Sequence, residues 1–266
     1  MRFLISLQRE GSSSILPINY QYELSSLIYR IIDRADSKFS EFLHRQGYVA
    51  FGKKFRLFTF SRIQFDRYQV IPGSDRLVHE GDKASFEISF LVDRAAEEFV
   101  RGLFLDQCLE LGDKLNRIRY QVSQIAATEP PAFRETMRYR SLSPLFIRRK
   151  RDQGGEDYLR PEDPDFGILL IRNLMAKSGA FAGQSDGEVG YNEPIPDFRF
   201  TLIGKVYQNG VLIKQHTPFQ TKLIAYLFEF ELRAPVELQE IGYYAGFGHL
   251  GSQGFGCVGV KGQWRQ

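Results

Sequence analysis

Gly246-Phe247-Gly248-His249-Leu250-Gly251-Ser252-Gln253-Gly254-Phe255-Gly256 sets two Gly-Phe-Gly triplets five residues apart near the end of the chain. Glycine is costly to order, and what it offers is positive φ and close backbone approach. Successive backbone N–H groups in such a loop can form a concavity for an anion. Before it, residues 235–245 read as a short helix with Pro235 at the first position and Gly246 at the C-terminal cap. After it, Cys257-Val258-Gly259-Val260 reads as a last strand. That context excludes a dinucleotide loop or a P-loop, each of which needs a long helix following the glycines. The stretch therefore reads as the link between the last helix and the last strand of an α+β unit.

The preceding segments complete that unit. Residues 219–232 alternate, with Ile224, Tyr226, Phe228, Phe230 and Leu232 on one face, the period of a half-buried strand. Phe198–Tyr207 and Val211–Gln215 flank Asn209-Gly210, a strong hairpin-turn dipeptide. Further back lie a glycine-rich loop (179–190), a helix (162–177), a Gly/Asp loop (152–157) and a strand region from Thr136 to Arg149. The order is β-α-β-β-α-β.

Thr128-Glu129-Pro130-Pro131 is the best boundary, giving an N-terminal domain 1–127 and a C-terminal domain 128–266. The first half opens with a strand at residues 3–8. A helix follows with Leu24, Leu27, Ile28, Ile31 and Ile32 as its core stripe. Asp36 is a plausible N-cap for a second helix, with Phe39, Phe42 and Leu43 as stripe and Gly47 as stop. Then come a strand at 56–62, a hairpin turning at Pro72-Gly73-Ser74, a strand at 84–92, a helix from an Asp93 cap to Leu105, and a strand at 115–126. The fold class is α+β, two tandem ferredoxin-like units.

Composition bounds the function. With 43% hydrophobic and 25% charged residues the chain is that of a globular protein. A net charge of only +3 means that any nucleic-acid footprint has to come from local clustering. Cys108 and Cys257 are too few for a disulfide framework or a zinc site, which points to a reducing, cytoplasmic setting. The apolar start meets Gln8-Arg9-Glu10 too early for a signal peptide, and no apolar run reaches the ~18 residues of a membrane span.

Tyr29 and His44 each lie about 140° from the centre of their helix's stripe at ~100° per residue. Two neighbouring helices thus each turn one proton-transferring side chain away from the core. Lys53, Lys54 and Arg56 follow closely. Between Arg134 and Arg151, basic residues 134, 138, 140, 148, 149, 150 and 151 face one acidic residue, Glu135. Arg138 and Arg140 share a strand face opposite Tyr139, and Arg148, Arg149, Lys150 and Arg151 form a run: a solvated basic face or a phosphate track. His79 and His216 sit in turn-like contexts without evident partners, and His249 either donates to a phosphate or faces solvent. HExxH, CxxC and GxSxG are absent, so neither a metal nor a cofactor is expected.

Taken together, the C-terminal glycine loop, Leu16-Pro17-Ile18-Asn19-Tyr20-Gln21-Tyr22 with Leu24-Ser25-Ser26 and Ile28-Tyr29, Phe42-Leu43-His44, and Arg56-Leu57-Phe58-Thr59-Phe60-Ser61 resemble the RAMP superfamily. The branch is the CRISPR-associated endoribonucleases that cut repeat-spacer transcripts into guide RNAs. The resemblance implies two RRM-like domains, CRISPR repeat RNA as partner, and metal-free cleavage by the ribose 2′-OH. It assigns Tyr29 and His44 to proton transfer and Lys54, with Arg56 as substitute, to the cation. It gives RNA contacts to Lys53, Arg56, Arg138, Arg140, Arg148, Arg149, Lys150, Gly246, Gly248, His249, Gly254 and Gly256. A catalytically inactive RAMP subunit that holds crRNA in an effector complex is the alternative. Effector subunits or a second copy as further partners stay open.

Overall fold

The computed structural model describes residues 1–151, 153–183, 194–213 and 220–261. In chain order the first half holds β1 (Arg2–Glu10), β2 (Ile15–Pro17), α1 (Gln21–Ala35), α2 (Ser37–Arg45), β3 (Tyr48–Ala50), β4 (Lys53–Phe55), β5 (Phe58–Phe60), β6 (Gln64–Phe65), β7 (Tyr68–Val70), β8 (Arg76–His79), β9 (Lys83–Phe90), α3 (Asp93–Leu105), β10 (Cys108–Gly112) and β11 (Arg117–Ala127). Its main sheet runs β10-β11-β1-β9-β5, with β1 antiparallel to both neighbours. Without the added edge strand β10, this is the ferredoxin-like order. Apolar residues of β1, β5 and β9, among them Ile5, Leu7, Phe58, Phe86 and Ile88, share one core with the stripes of α1, α2 and α3.

The second half holds β12 (Thr136–Ser141), β13 (Arg148–Lys150), β14 (Glu156–Tyr158), α4 (Pro164–Phe181), β15 (Arg199–Ile213), β16 (Thr221–Arg233), α5 (Val236–Ala245) and β17 (Val258–Val260). Its sheet, β15-β16-β12-β17, has the same ferredoxin-like order. Alternation decides the faces of β12: Met137 and Tyr139 are buried, while Arg138 and Arg140 stand on the open face.

Several local expectations are corrected. The strand region 136–149 is two strands, β12 and β13, interrupted at Ser143-Pro144, because proline has no N–H to give a ladder. Asn209-Gly210 is no turn: both lie within β15, opposite Ala225 and Ile224. Tertiary contacts override the dipeptide there. Val211, Leu223 and Ala225 bury against Phe146 and Phe255, and the Arg62 guanidinium donates to the Asn209 side-chain oxygen. Val92 caps α3 and Asp93 falls inside it, while Pro235 caps α5 rather than opening it. Asp36 does cap α2, accepting from the Phe39 N–H at 2.9 Å. His79 is fully buried on β8, with Tyr120 Oη at 2.9 Å and Asp66 Oδ1 at 3.0 Å. His216 and most of the 179–190 loop lie outside the described residues.

The two halves are tied at their centre. Arg2, buried on β1, donates to the carbonyls of Val258 (2.7 Å) and Tyr243 (2.9 Å) and lies 3.6 Å over the Tyr243 ring. Among the described residues no helix is long and apolar enough to cross a membrane.

Candidate active site

The α1 stripe of Leu24, Leu27, Ile28, Ile31 and Ile32 is buried in the first core, which fixes the rotation of the helix and puts Tyr29 at the rim. The Tyr29 ring is half-buried and meets Phe58 edge-on, with centroids 5.8 Å apart. Phe39 and Leu43 anchor α2 beside it and leave His44 exposed in its last turn. The two helices bring the Tyr29 and His44 rings together at 5.6 Å and 83°. Burial raises the Tyr29 pKa; hydrogen bonds to the Ser252 and Arg56 side chains and the Arg56 charge oppose that rise. The phenol is therefore protonated near neutral pH.

The cation beside this pair is Arg56. Its Nε donates to the Leu43 carbonyl at 2.9 Å and a terminal nitrogen to the His44 carbonyl at 2.6 Å, closing the C-terminal end of α2. The charge of the same guanidinium acts on the Tyr29 phenol. Leu57, at φ 55, turns the chain so that Arg56 points back at α2 while Phe58 continues into the sheet. That left-handed conformation is uncommon for a residue with a side chain. Lys54 is exposed and donates instead to the Arg45 carbonyl at 3.2 Å. Lys53 is half-buried on β4 and contributes to the field at His249.

The glycine loop lies against this site. Thr59 Oγ1 donates to the Phe255 carbonyl at 2.9 Å, and Ser25 Oγ to the Ser252 carbonyl at 2.7 Å. The other domain therefore covers α1 at Ser25, one helical turn before Tyr29. Gly246, Gly248, Gly254 and Gly256 are all buried. At Gly256, φ is 74° and a Cβ would strike the Phe247 carbonyl; at Gly254, φ is 84° and a Cβ would press on Phe60. An open anion nest is not what forms. The N–H groups of Phe247, His249, Gly254 and Gly256 donate to carbonyls within the protein. Inside the loop, the buried Lys177 ammonium donates to the carbonyls of Ala245 (3.1 Å), Gly248 (2.8 Å) and Gly246. Burial pushes Lys177 down to about 7. His249 is half-buried with Nδ1 shut off from solvent and unpartnered. Burial, then the charges of Arg148, Lys177 and Lys53, push its pKa down to about 3, so the ring is neutral.

The basic segment is not bare. Arg138 pairs with Glu231 at 2.7 Å, Arg148 with Glu156 at 2.8 Å, and Arg149 with Asp165 at 2.6 Å and Asp157 at 3.5 Å. Among the described residues Arg140 and Lys150 make no ion pair. Sequence reasoning missed Ser252 and Lys177. Ser252 carried no signal beyond its place in the loop. Lys177 carried one: it falls three residues after Leu174 and seven after Leu170, on the buried stripe of α4.

Residues 127–260 match the family model described as CRISPR associated protein Cas6, C-terminal, and residues 15–125 match CRISPR-associated protein Cas6, N-terminal. The chain belongs to the Cas6 family. Among Cas6 relatives, CRISPR-associated endoribonuclease Cas6 1 of Methanocaldococcus jannaschii is 28% identical, spanning 97% of this chain and 92% of its own. CRISPR-associated endoribonuclease Cas6 of Pyrococcus furiosus is 27% identical over 98% and 90%. A solved structure of a CRISPR associated protein Cas6 shares 28% identity and superposes with a TM-score of 0.71, covering 98% of each chain. A Cas6 product complex, at 16% identity and a TM-score of 0.63 over 98% of this chain and 100% of that one, shares the fold.

Proposed function

We propose that this Cas6 protein is a metal-independent endoribonuclease that binds CRISPR repeat RNA and cuts precursor transcripts into guide RNAs. The observation that carries the reading is the Tyr29–His44 edge contact at 5.6 Å beside the Arg56 guanidinium. The names of relatives matched over nearly the whole chain support it.

Cleavage requires a base, an acid and a cation. The ribose 2′-OH attacks the adjacent phosphorus; the P–O2′ bond forms as P–O5′ breaks, leaving a 2′,3′-cyclic phosphate and a 5′-OH. His44, the exposed imidazole, takes the 2′-OH proton. Tyr29 enters as a phenol, because burial disfavours its anion, and gives its proton to the departing 5′-oxygen. The 5′-alkoxide is a far stronger base than phenolate, so the transfer runs downhill. Arg56 keeps its charge throughout and stabilises both the phosphorane and the phenolate. Lys54, the sequence's first choice for the cation, adds charge at the end of α2. Lys53, Arg138, Arg140, Arg148, Arg149 and Lys150 supply phosphate contacts, some by exchanging a carboxylate for a phosphate. His249 and the half-buried rim of the glycine loop at Gln253 complete the RNA surface. Binding accordingly weakens as salt rises.

The test is to incubate the purified protein with its own repeat RNA in EDTA. One cut is expected, with cyclic-phosphate and 5′-OH ends. A 2′-deoxy sugar at the scissile nucleotide should abolish the cut and leave binding intact. Loss of cleavage in EDTA, or cleavage of the deoxy substrate, contradicts the mechanism. Tight binding with no cut identifies an RNA-holding RAMP subunit instead.

A further inference from the structure

The Tyr29 ring is held from below by Phe58, but ring packing leaves the direction of a phenol O–H free. Arg56 and Ser252 act on that hydroxyl, and Ser252 is placed beside it by its bond to Ser25, one helical turn before Tyr29 on α1. Arg56 can only donate to it; Ser252 can donate or accept. Ser252 comes from the other domain, and its backbone is held on several sides. Its carbonyl accepts from Ser25 on α1 at 2.7 Å. It sits in the 3-10 turn Gly251–Gln253, between Leu250 and Gly254, both left-handed. The loop is held to β5 by the Thr59–Phe255 hydrogen bond and from within by Lys177.

We infer that Ser252 is a positioning residue for the Tyr29 hydroxyl, so that the C-terminal domain completes the cleavage site of the N-terminal one. The inference rests on Tyr29 acting in cleavage as proposed above. A serine hydroxyl suits the task in both protonation states of its partner. Its O–H donates to the phenol oxygen before the reaction, leaving the phenol proton free for the departing 5′-oxygen, and donates to the phenolate as that proton leaves. Alanine can do neither, and threonine can do both.

The experiment is a double-mutant cycle in single-turnover cleavage of the protein's own repeat RNA, with RNA affinity measured in parallel. Ser252→Ala should slow cleavage by roughly ten- to a hundredfold, the scale of a small misplacement of a reacting group, with Kd within about twofold of wild type. Ser252→Thr should restore most of the rate. In a Tyr29→Phe background, Ser252→Ala should cost nothing further. A Ser252→Ala protein as fast as wild type, or one that slows Tyr29→Phe by the same factor, overturns the inference while leaving the nuclease reading standing. A Tyr29→Phe protein that cleaves at the wild-type rate removes Tyr29 from the mechanism, and the inference with it.

Discussion

Arg56 combines contacts that a lysine cannot make together. Its planar fork spans the Leu43 and His44 carbonyls while its charge acts on the Tyr29 phenol. The guanidinium therefore sets the end of the helix that carries His44 and the polarity around Tyr29 at once. Arg56→Lys should keep a positive charge but lose the fork, slowing single-turnover cleavage by about tenfold or more. Lys54→Ala should change the rate by less than about threefold, since its ammonium is directed to the Arg45 carbonyl. The reverse ranking would return the cation's role to Lys54. The sequence could not separate them. Arg56 comes within reach only because Leu57 takes φ 55, and nothing in Arg56-Leu57-Phe58 announces a left-handed residue.

Among the elements, the glycine loop departs most from its sequence reading. Its buried glycines let the chain pass close to Phe60 and to its own Phe247 carbonyl, and its carbonyls converge on Lys177. Lys177→Met removes the donor from a site without water access. Leaving buried acceptors unsatisfied should lower stability by about 1–3 kcal/mol in urea unfolding, and an unchanged midpoint would refute that account. Another polar element joins the buried His79 on β8 to the exposed Asp66 that follows β6. Desolvation raises the Asp66 pKa, but hydrogen bonds from His79 and from the N–H groups of Lys83, Arg67 and Asp82 outweigh it and hold the carboxyl well below its usual range. A depressed carboxylate pKa stabilises the fold above the ordinary pKa of about 4, and that contribution fades as pH falls below it. Asp66→Asn should therefore be less stable than wild type at pH 6, with a gap that narrows steadily as pH falls from about 4 to 2. A gap that stays constant across this range would show that Asp66 contributes no linkage. His79 was misread because its partners lie 13 and 41 residues away, beyond any local pattern.

For the whole molecule, the order of long elements was readable because apolar periodicity fixes helices and strands one at a time. Two ferredoxin-like sheets follow from that order. What periodicity cannot carry is how one half covers the other. The off-stripe positions of Tyr29 and His44 were visible in the sequence, but the cover over α1 at Ser25 was not. Neither was the paired course of Asn209-Gly210, held by Arg62 and the small core of Phe146, Val211, Leu223, Ala225 and Phe255. The proposed metal-free cleavage places Tyr29, His44 and Arg56 together at the scissile phosphate. Its most direct test is the single-turnover cleavage rate of His44→Ala on the protein's own repeat RNA in EDTA. The account predicts a loss of about 10²–10⁴-fold, the usual contribution of a general acid or base, with RNA affinity within about twofold of wild type. A His44→Ala protein that cleaves at the wild-type rate would contradict it.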